Sequence, residues 1–279
     1  MTFSSALEDG RFSESASESM VAAADGAVGV SQLDRLSVMT RGAYLMRLGL
    51  VGYGEAFDLQ RSLAGAVSQG AIPETVIFVE HPPVITVGRR TETDRELHIP
   101  ENAEVEIAET DRGGKSTFHG PGQLVCYPIL DLRNHGKDVK QYVRGLEEAL
   151  IRTLGAFELD GQRYEGLTGV WMPPGGGQGP RKIASIGVHV SRWVTTHGYA
   201  LNVDLDPAPF TEWITACGLE DAAFTTMARE LDRDVTVEDV RPAAVSAIAE
   251  VFGLDFEVLP PDDGAGLWPQ RIHASLATR

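Results

Sequence analysis

The sequence predicts an α+β fold, a mixed β-sheet flanked by helices. Three observations predict it. Apolar, β-branched runs of strand length recur through the chain. These runs follow one another in groups instead of alternating strictly with helices, which suggests α+β or a mixed sheet covered by helices on one side. Three longer stretches place apolar residues at helical spacing, and no segment repeats.

Ala43–Leu50 reads as the first strand. Glu55–Gln69 follows as a helix, with Phe57, Leu63, Ala64 and Val67 at helical spacing and Gly70 as its stop. Thr75–Val79 is a buried strand, halted by His81, Pro82 and Pro83. Val84–Val87 resumes as strand before Gly88, and Leu124–Leu130 is another strand. Lys137–Leu154 is an amphipathic helix with Val139, Val143, Leu146, Leu150 and Leu154 on one side. Val170–Met172, Ile183–Thr195 and Tyr199–Leu205 read as three strands, and Pro209–Thr215 as a short helix. Val235–Phe252 contains another amphipathic helix, with Val240, Ala244, Ile248 and Val251 on its apolar side. Residues 43–258 thus form one folded domain. Residues 1–40, rich in Ser, Ala, Glu and Gly, read as a disordered tail, and residues 259–279 as a loose one.

The net charge of −16 excludes a nucleic-acid partner, because phosphate backbones require a basic face. The stretch from Arg112 to Lys182 is nevertheless richer in basic than in acidic residues. An acidic partner could dock there, with Arg133, Lys137 and Lys140 at the rim. No run is long and apolar enough for a membrane helix, and the N-terminus has neither the basic nor the apolar region of a signal peptide. The expectation is a cytoplasmic protein. The two cysteines, Cys126 and Cys217, are too few for a disulfide framework or a cysteine zinc site.

The segment from Arg112 through Gly113, Gly114, Lys115, Ser116, Thr117, Phe118 and His119 to Gln123 concentrates glycine, cations and histidine. Glycines this dense let the backbone approach a ligand closely, and an ordinary turn does not also cluster Arg, Lys and His. The pattern is neither a P-loop nor GxGxxG. Lys182 opens a strand with apolar neighbours. It is either a solvated edge lysine or a desolvated acid–base group. Cys217, on a turn before Gly218, has the placement of an exposed nucleophile, whereas Cys126 sits in a strand-like run with the placement of core.

Together these segments resemble the lipoyl(octanoyl) transferases of protein lipoylation. The likeness runs from Leu48 to Phe252. It is carried by RGGKSTFHGPGQ from Arg112 to Gln123, by Gly169-Val-Trp, by Lys182-Ile-Ala-Ser-Ile-Gly187, by His197-Gly-Tyr-Ala-Leu-Asn202 and by Cys217-Gly218. One departure is Ala216, where the family usually has proline.

The resemblance implies the fold of biotin and lipoate ligases. It implies transfer of an octanoyl or lipoyl group from the thioester of acyl carrier protein to a lysine of a lipoyl domain. The acceptors would be glycine cleavage H protein and 2-oxoacid dehydrogenase E2 subunits. By the same resemblance Cys217 is the nucleophile and Lys182 its acid–base partner. Arg112–His119, Ser185, Ile186, Gly187, Gly198, Tyr199 and Ala200 line the acyl site. Backbone N–H groups near Gly187 would hold the oxyanion. A thioester is already activated, so this transfer requires no ATP, metal or redox cofactor. Two rivals are an ATP-dependent lipoate or biotin-type ligase and a non-catalytic module that only binds an acyl carrier.

Overall fold

The computed structural model describes residues 40–91, 97–175, 179–214 and 223–260. In chain order the elements are β1 (Arg41–Leu50), α1 (Tyr53–Ser68), β2 (Glu74–Glu80), β3 (Val84–Val87), β4 (Glu106–Glu109), β5 (Thr117–His119), β6 (Gln123–Ile129) and α2 (Val139–Gly155). Then come β7 (Gln162–Tyr164), β8 (Leu167–Met172), β9 (Arg181–Ser191), β10 (Val194–Asn202), α3 (Pro209–Glu212), β11 (Ala223–Phe224), α4 (Met227–Leu231), α5 (Val237–Phe252) and β12 (Leu254–Val258).

A nine-stranded mixed sheet forms the centre, in the order β12-β1-β2-β6-β10-β9-β8-β7 with β11 beside β9. β1 runs parallel to both β12 and β2, β11 runs parallel to β9, and along the path from β2 to β7 each strand is antiparallel to the next. β4, β3 and β5 make a second, three-stranded sheet.

Strand alternation sorts side chains to the two faces of the large sheet. Phe78, Leu124, Cys126 and Leu201 face α2 and α5, where Tyr142, Leu146, Leu150, Val240, Ala244 and Ile248 are buried. Ile77, Val79, Val125 and Tyr127 face α1 through Ala56, Leu63, Ala66 and Val67. The helices therefore cover both faces, not one side as the grouping of strands suggested. Each leucine fully buried on α2 contributes about 1.5–3 kcal/mol, so packing outweighs the end caps, worth about 0.5–2 kcal/mol each. The caps still fix where the helices begin. Asp138 accepts from the Lys140 and Gln141 N–H groups, and Thr236 and Asp239 form a reciprocal capping box.

The sequence reading departs from the structure at several places, beginning with β4, β7, β11 and β12, which it did not read as strands. Ile183–Thr195 is not one strand, because the chain reverses at Arg192 and Trp193, both with positive φ. Two left-handed residues give the twist of a tight hairpin, but here neither is the Gly or Asn that announces one. Thr117–His119, read as part of the glycine-rich segment with no strand assigned, is β5 and pairs with β3. Val139, placed on the apolar side of its helix, is 39% exposed at the helix start. Cys217 and Ala216, like both tails apart from Thr40, Leu259 and Pro260, lie outside the described residues.

Candidate active site

Two of the sequence segments meet through strand register. β10 pairs with β9 so that Gly198 lies opposite Gly187, Tyr199 opposite Ile186 and Ala200 opposite Ser185. A Cβ at Gly198 would overlap the Cys126 carbonyl, so glycine is needed for β10 to lie this close to β6. The third segment, Arg112–Lys115, crosses β9 from above. The Gly113 N–H donates to the Val188 carbonyl at 2.9 Å. A Cβ at Gly187 would stand 3.0 Å from Arg112 Cδ and 3.2 Å from the Gly113 carbonyl oxygen, so the bare glycine lets the turn settle.

These segments surround a cleft of about 420 Å³. Among the residues expected at an acyl site, Arg112, Gly113, Gly114, Lys115, Thr117, His119, Ser185, Ile186, Gly187, Gly198, Tyr199 and Ala200 line it. Ser116 and Phe118 do not. Ser116 is fully buried and donates to Thr91 Oγ1. Phe118 lies on the opposite face of β5 and packs edge-on against Phe210 and Trp213. Arg112 lines the cleft, but its guanidinium frames the turn. It donates to the Thr86 carbonyl at 2.7 Å, to Thr86 Oγ1 at 2.8 Å, to the Lys115 carbonyl at 2.7 Å and to the Gly113 carbonyl at 3.2 Å.

Lys182 is 4% exposed and lines the same cleft. On β9 it lies between Trp171 of β8 and Phe224 of β11, with Nζ 5.3 Å from the centre of the Trp171 ring. Gly169 makes room for it. A Cβ there would lie 2.5 Å from the Ala184 carbonyl oxygen and 3.0 Å from Lys182 Cε, on a backbone with φ of 114°. Gly169→Ala is therefore expected to destabilise the fold by about 1–3 kcal/mol. It should also lower turnover more than a distant substitution of equal stability cost. Melting curves and initial rates check this; unchanged turnover would show that the lysine's placement tolerates the shift.

A chain of polar side chains links the cleft to the strand beside Lys182. Gln123 Nε2 donates to Asn202 Oδ1 at 2.9 Å, which turns Gln123 Oε1 toward His119 Nδ1 at 2.7 Å. His119 therefore carries its proton on Nδ1 and presents Nε2 as an acceptor. Asn202 Nδ2 donates to the Thr225 carbonyl, and the Thr225 N–H donates to the Lys182 carbonyl at 3.0 Å. Gln123 and Asn202 thus tie the glycine-rich segment, β10 and the chain after β11 into one frame.

The histidines here are buried and neutral. His81 donates from Nδ1 to the Val51 carbonyl and accepts from Tyr127 Oη at 2.8 Å. Desolvation lowers its pKa, takes that of His119 to about 3, and takes that of His197 to about 4 despite the Asp111 carboxylate at 2.7 Å. Below pH 6.5 the unfolded chain protonates the His119 and His197 rings, while the folded chain keeps them neutral until about pH 4. Stability should therefore fall as pH drops from about 6.5 toward 4, by up to about 1.4 kcal/mol per pH unit for each ring. Melting temperatures across that range test this, and a flat profile would contradict it.

Cys126 is fully buried on β6, and burial pushes its thiol far above the range where thiolate forms at neutral pH. It is core, as its setting in the sequence implied. Cys217 lies outside the described residues. It stands six positions before Ala223, whose strand β11 pairs with Arg181 and Lys182. Sequence reasoning missed Tyr53, Val125, Tyr127, Leu167, Trp171 and His197 as cleft residues. Trp171, in the Gly169-Val-Trp segment, and His197, beside Gly198, carried a local signal, since both lie in segments already singled out. The docking rim expected at Arg133, Lys137 and Lys140 is less uniform than its composition implies. Arg133 is bonded to Asp131 at 2.6 Å, and Lys137 Nζ lies 5.1 Å over the Trp193 ring. Among the described residues no group of three His, Cys, Asp or Glu is arranged to hold a metal, and no helix is long and apolar enough to cross a membrane.

Residues 52–249 match the Lipoyl protein ligase A/B catalytic domain family. A protein named octanoyltransferase from Chloroflexus aurantiacus (strain J-10-fl) is 45% identical over 212 residues, covering 75% of this chain and 93% of the relative. An octanoyltransferase of Mycobacterium leprae is 48% identical over 206 residues, covering 74% and 86%. Among solved structures, lipoate-protein ligase A bound with ATP superposes with a TM-score of 0.64 at 16% identity, over 85% of this chain and 95% of that one. A bipartite lipoate protein ligase of Thermoplasma acidophilum gives 0.62 at 17% identity, over 85% and 93%. At such identities the structural likeness is one of fold. The fold is that of the lipoate-protein ligases, a mixed sheet flanked by helices, and the family match places the chain among the lipoyl protein ligase A/B catalytic domains. The chain belongs to the octanoyltransferase family, and it is an acyltransferase of protein lipoylation.

Proposed function

We propose that the octanoyl donor is the thioester of an acyl carrier protein. The acceptor is a lysine of a lipoyl domain, as in glycine cleavage H protein or 2-oxoacid dehydrogenase E2 subunits. Transfer passes through an acyl-enzyme on Cys217. The observation that supports this most is the placement of Lys182. It is a buried lysine on the cleft wall, beside the strand to which the chain returns six residues after Cys217.

In the first half-reaction the Cys217 thiolate adds to the thioester carbonyl. The tetrahedral oxyanion collapses, the bond to the carrier sulfur breaks, and the Lys182 ammonium protonates the departing thiolate. In the second, the acceptor lysine amine adds to the Cys217 thioester, and Lys182, now neutral, takes its proton. The amide forms, Cys217 leaves as thiolate, and Lys182 is again an ammonium. Backbone N–H groups of the strands around Gly187 are suited to the oxyanion. Val125, Ile186, Leu167 and Ala200 give the cleft its apolar lining.

The experiment supplies octanoyl-carrier thioester without nucleotide in one arm and free octanoate with ATP in the other. Octanoyl-lysine on a lipoyl domain is expected from the thioester alone. Product from ATP and free octanoate would favour a ligase. No product in either arm would favour a module that only binds its carrier.

A further inference from the structure

Lys182 reaches the cleft through an irregularity in its strand. Trp171 pairs with Lys182 and Val170 with Ala184, so one residue of β9, Ile183, is extra. Val170, Ile183 and Ala184 are all buried in the core on the α2 side of the sheet. Trp171, next to Val170, therefore points to the α1 side, and Lys182 opposite it points the same way. Ser185, next to Ala184, shares that side. Without the bulge, alternation would turn Lys182 into the core together with Ala184.

From Lys182 the same face can be followed across the sheet. Ser185 of β9 lies opposite Ala200 of β10, and Ala200 lies opposite Val125 of β6. The glycine-rich turn fills the space over Gly187, where Arg112 Cδ and the Gly113 carbonyl already stand. The small side chains of Ser185 and Ala200 are left as the open floor of the cleft. At Val125 the floor ends. Val125 pairs with Val79 of β2, and both belong to the core packed against α1. Tyr127, two residues on and on the same side, is held at its tip. Its Oη donates to His81 Nε2 at 2.8 Å, and His81 Nδ1 donates to the Val51 carbonyl at 2.7 Å.

The cleft thus has a reactive end at Lys182 and a bulky, fixed end on β6. From β9 to β6 is two strand spacings, about 10 Å, a distance that an extended eight-carbon chain spans and a twelve-carbon chain overruns. We propose that Val125, braced by Tyr127, is the end wall of the acyl site and sets the length of the acyl group that is transferred. The acyl carbonyl lies at the Lys182 end, the chain runs over Ser185 and Ala200, and the terminal methyl meets Val125. The end wall rests on the reading that the acyl group is handed over from a thioester beside Lys182.

The test measures kcat/KM for the hexanoyl, octanoyl, decanoyl and dodecanoyl thioesters of pantetheine on the full chain, with a lipoyl domain as acceptor. In the parent the value should rise by about fourfold per methylene up to eight carbons, the gain for each methylene buried, and fall beyond. In Val125→Ala the optimum should move to the decanoyl thioester. In Ala200→Val, which raises the floor one strand nearer to Lys182, it should move to the hexanoyl thioester. Val125→Thr keeps the shape and should leave the optimum at eight carbons. A substitution that merely loosened the fold would lower all four values together without moving the optimum, and melting temperatures identify a variant that fails to fold. The two substitutions predict shifts of opposite sign, so either one alone decides the point. An optimum that stays at eight carbons in folded Val125→Ala or Ala200→Val would overturn the end wall, as would a parent whose values keep rising to twelve carbons. No transfer from any of the four thioesters by the parent would overturn the thioester reading and the end wall with it, a result distinct from an unmoved optimum.

Discussion

Cys217→Ala is expected to lower octanoyl transfer from a carrier thioester by a factor on the order of 10³ or more, because the covalent route is lost entirely. Cys126→Ala is expected to keep nearly all of it. Cys126 is fully buried on β6, with its thiol held in the protonated form by desolvation. Losing its sulfur should cost about 1 kcal/mol of packing and little else. Steady-state rates of both variants with one carrier thioester decide the point. If Cys126→Ala were the inactive one while still folded, the site would have to be moved to the other face of the central sheet.

Lys182→Ala should slow both half-reactions, by about 10²–10⁴-fold, since one amine serves as acid in the first and base in the second. Its burial against Trp171 and the room left by Gly169 argue for a group held at one position, unlike a lysine sweeping through solvent. Lys182→Arg separates charge from proton transfer. Arginine keeps the positive charge that favours a thiolate, yet does not give up its proton at neutral pH. It should therefore rescue little. Single-turnover rates for acylation and deacylation check both variants. An arginine variant close to the parent in both steps would reduce the lysine to an electrostatic role.

Much of the fold was legible because burial leaves a period in the sequence. Leu146, Leu150 and Leu154 mark one face of α2, and all three are fully buried. Phe78 and Leu124 sit in apolar runs because both faces of the central sheet are covered. Other features left no such trace. The β9–β10 hairpin turns on Arg192 and Trp193, residues that carry no turn signal, because the strand pairing around them sets their conformation. Periodicity also does not say which face of a sheet a helix will cover, so α1 opposite α2 and α5 could not be foreseen.

The site divides in the same way. Its glycines were legible, since a bare backbone is the one means of bringing Gly113 against Gly187 and Gly198 against Cys126. What each side chain does there was not. Arg112 has the composition of a substrate-binding cation, but the carbonyls it holds together come from Thr86, Gly113 and Lys115, and only the folded chain brings Thr86 to it. Tyr53 and Tyr127 arrive from two different elements, each ordinary in its own sequence context.

The most direct measurement is the intact mass of the protein after mixing with an octanoyl thioester in the absence of acceptor. A covalent route through Cys217 predicts the addition of one octanoyl group, mapping to the peptide that contains Cys217, absent in Cys217→Ala and discharged when a lipoyl domain is added. An unmodified protein that nonetheless turns over, or an octanoyl group mapped to Cys126, would contradict it.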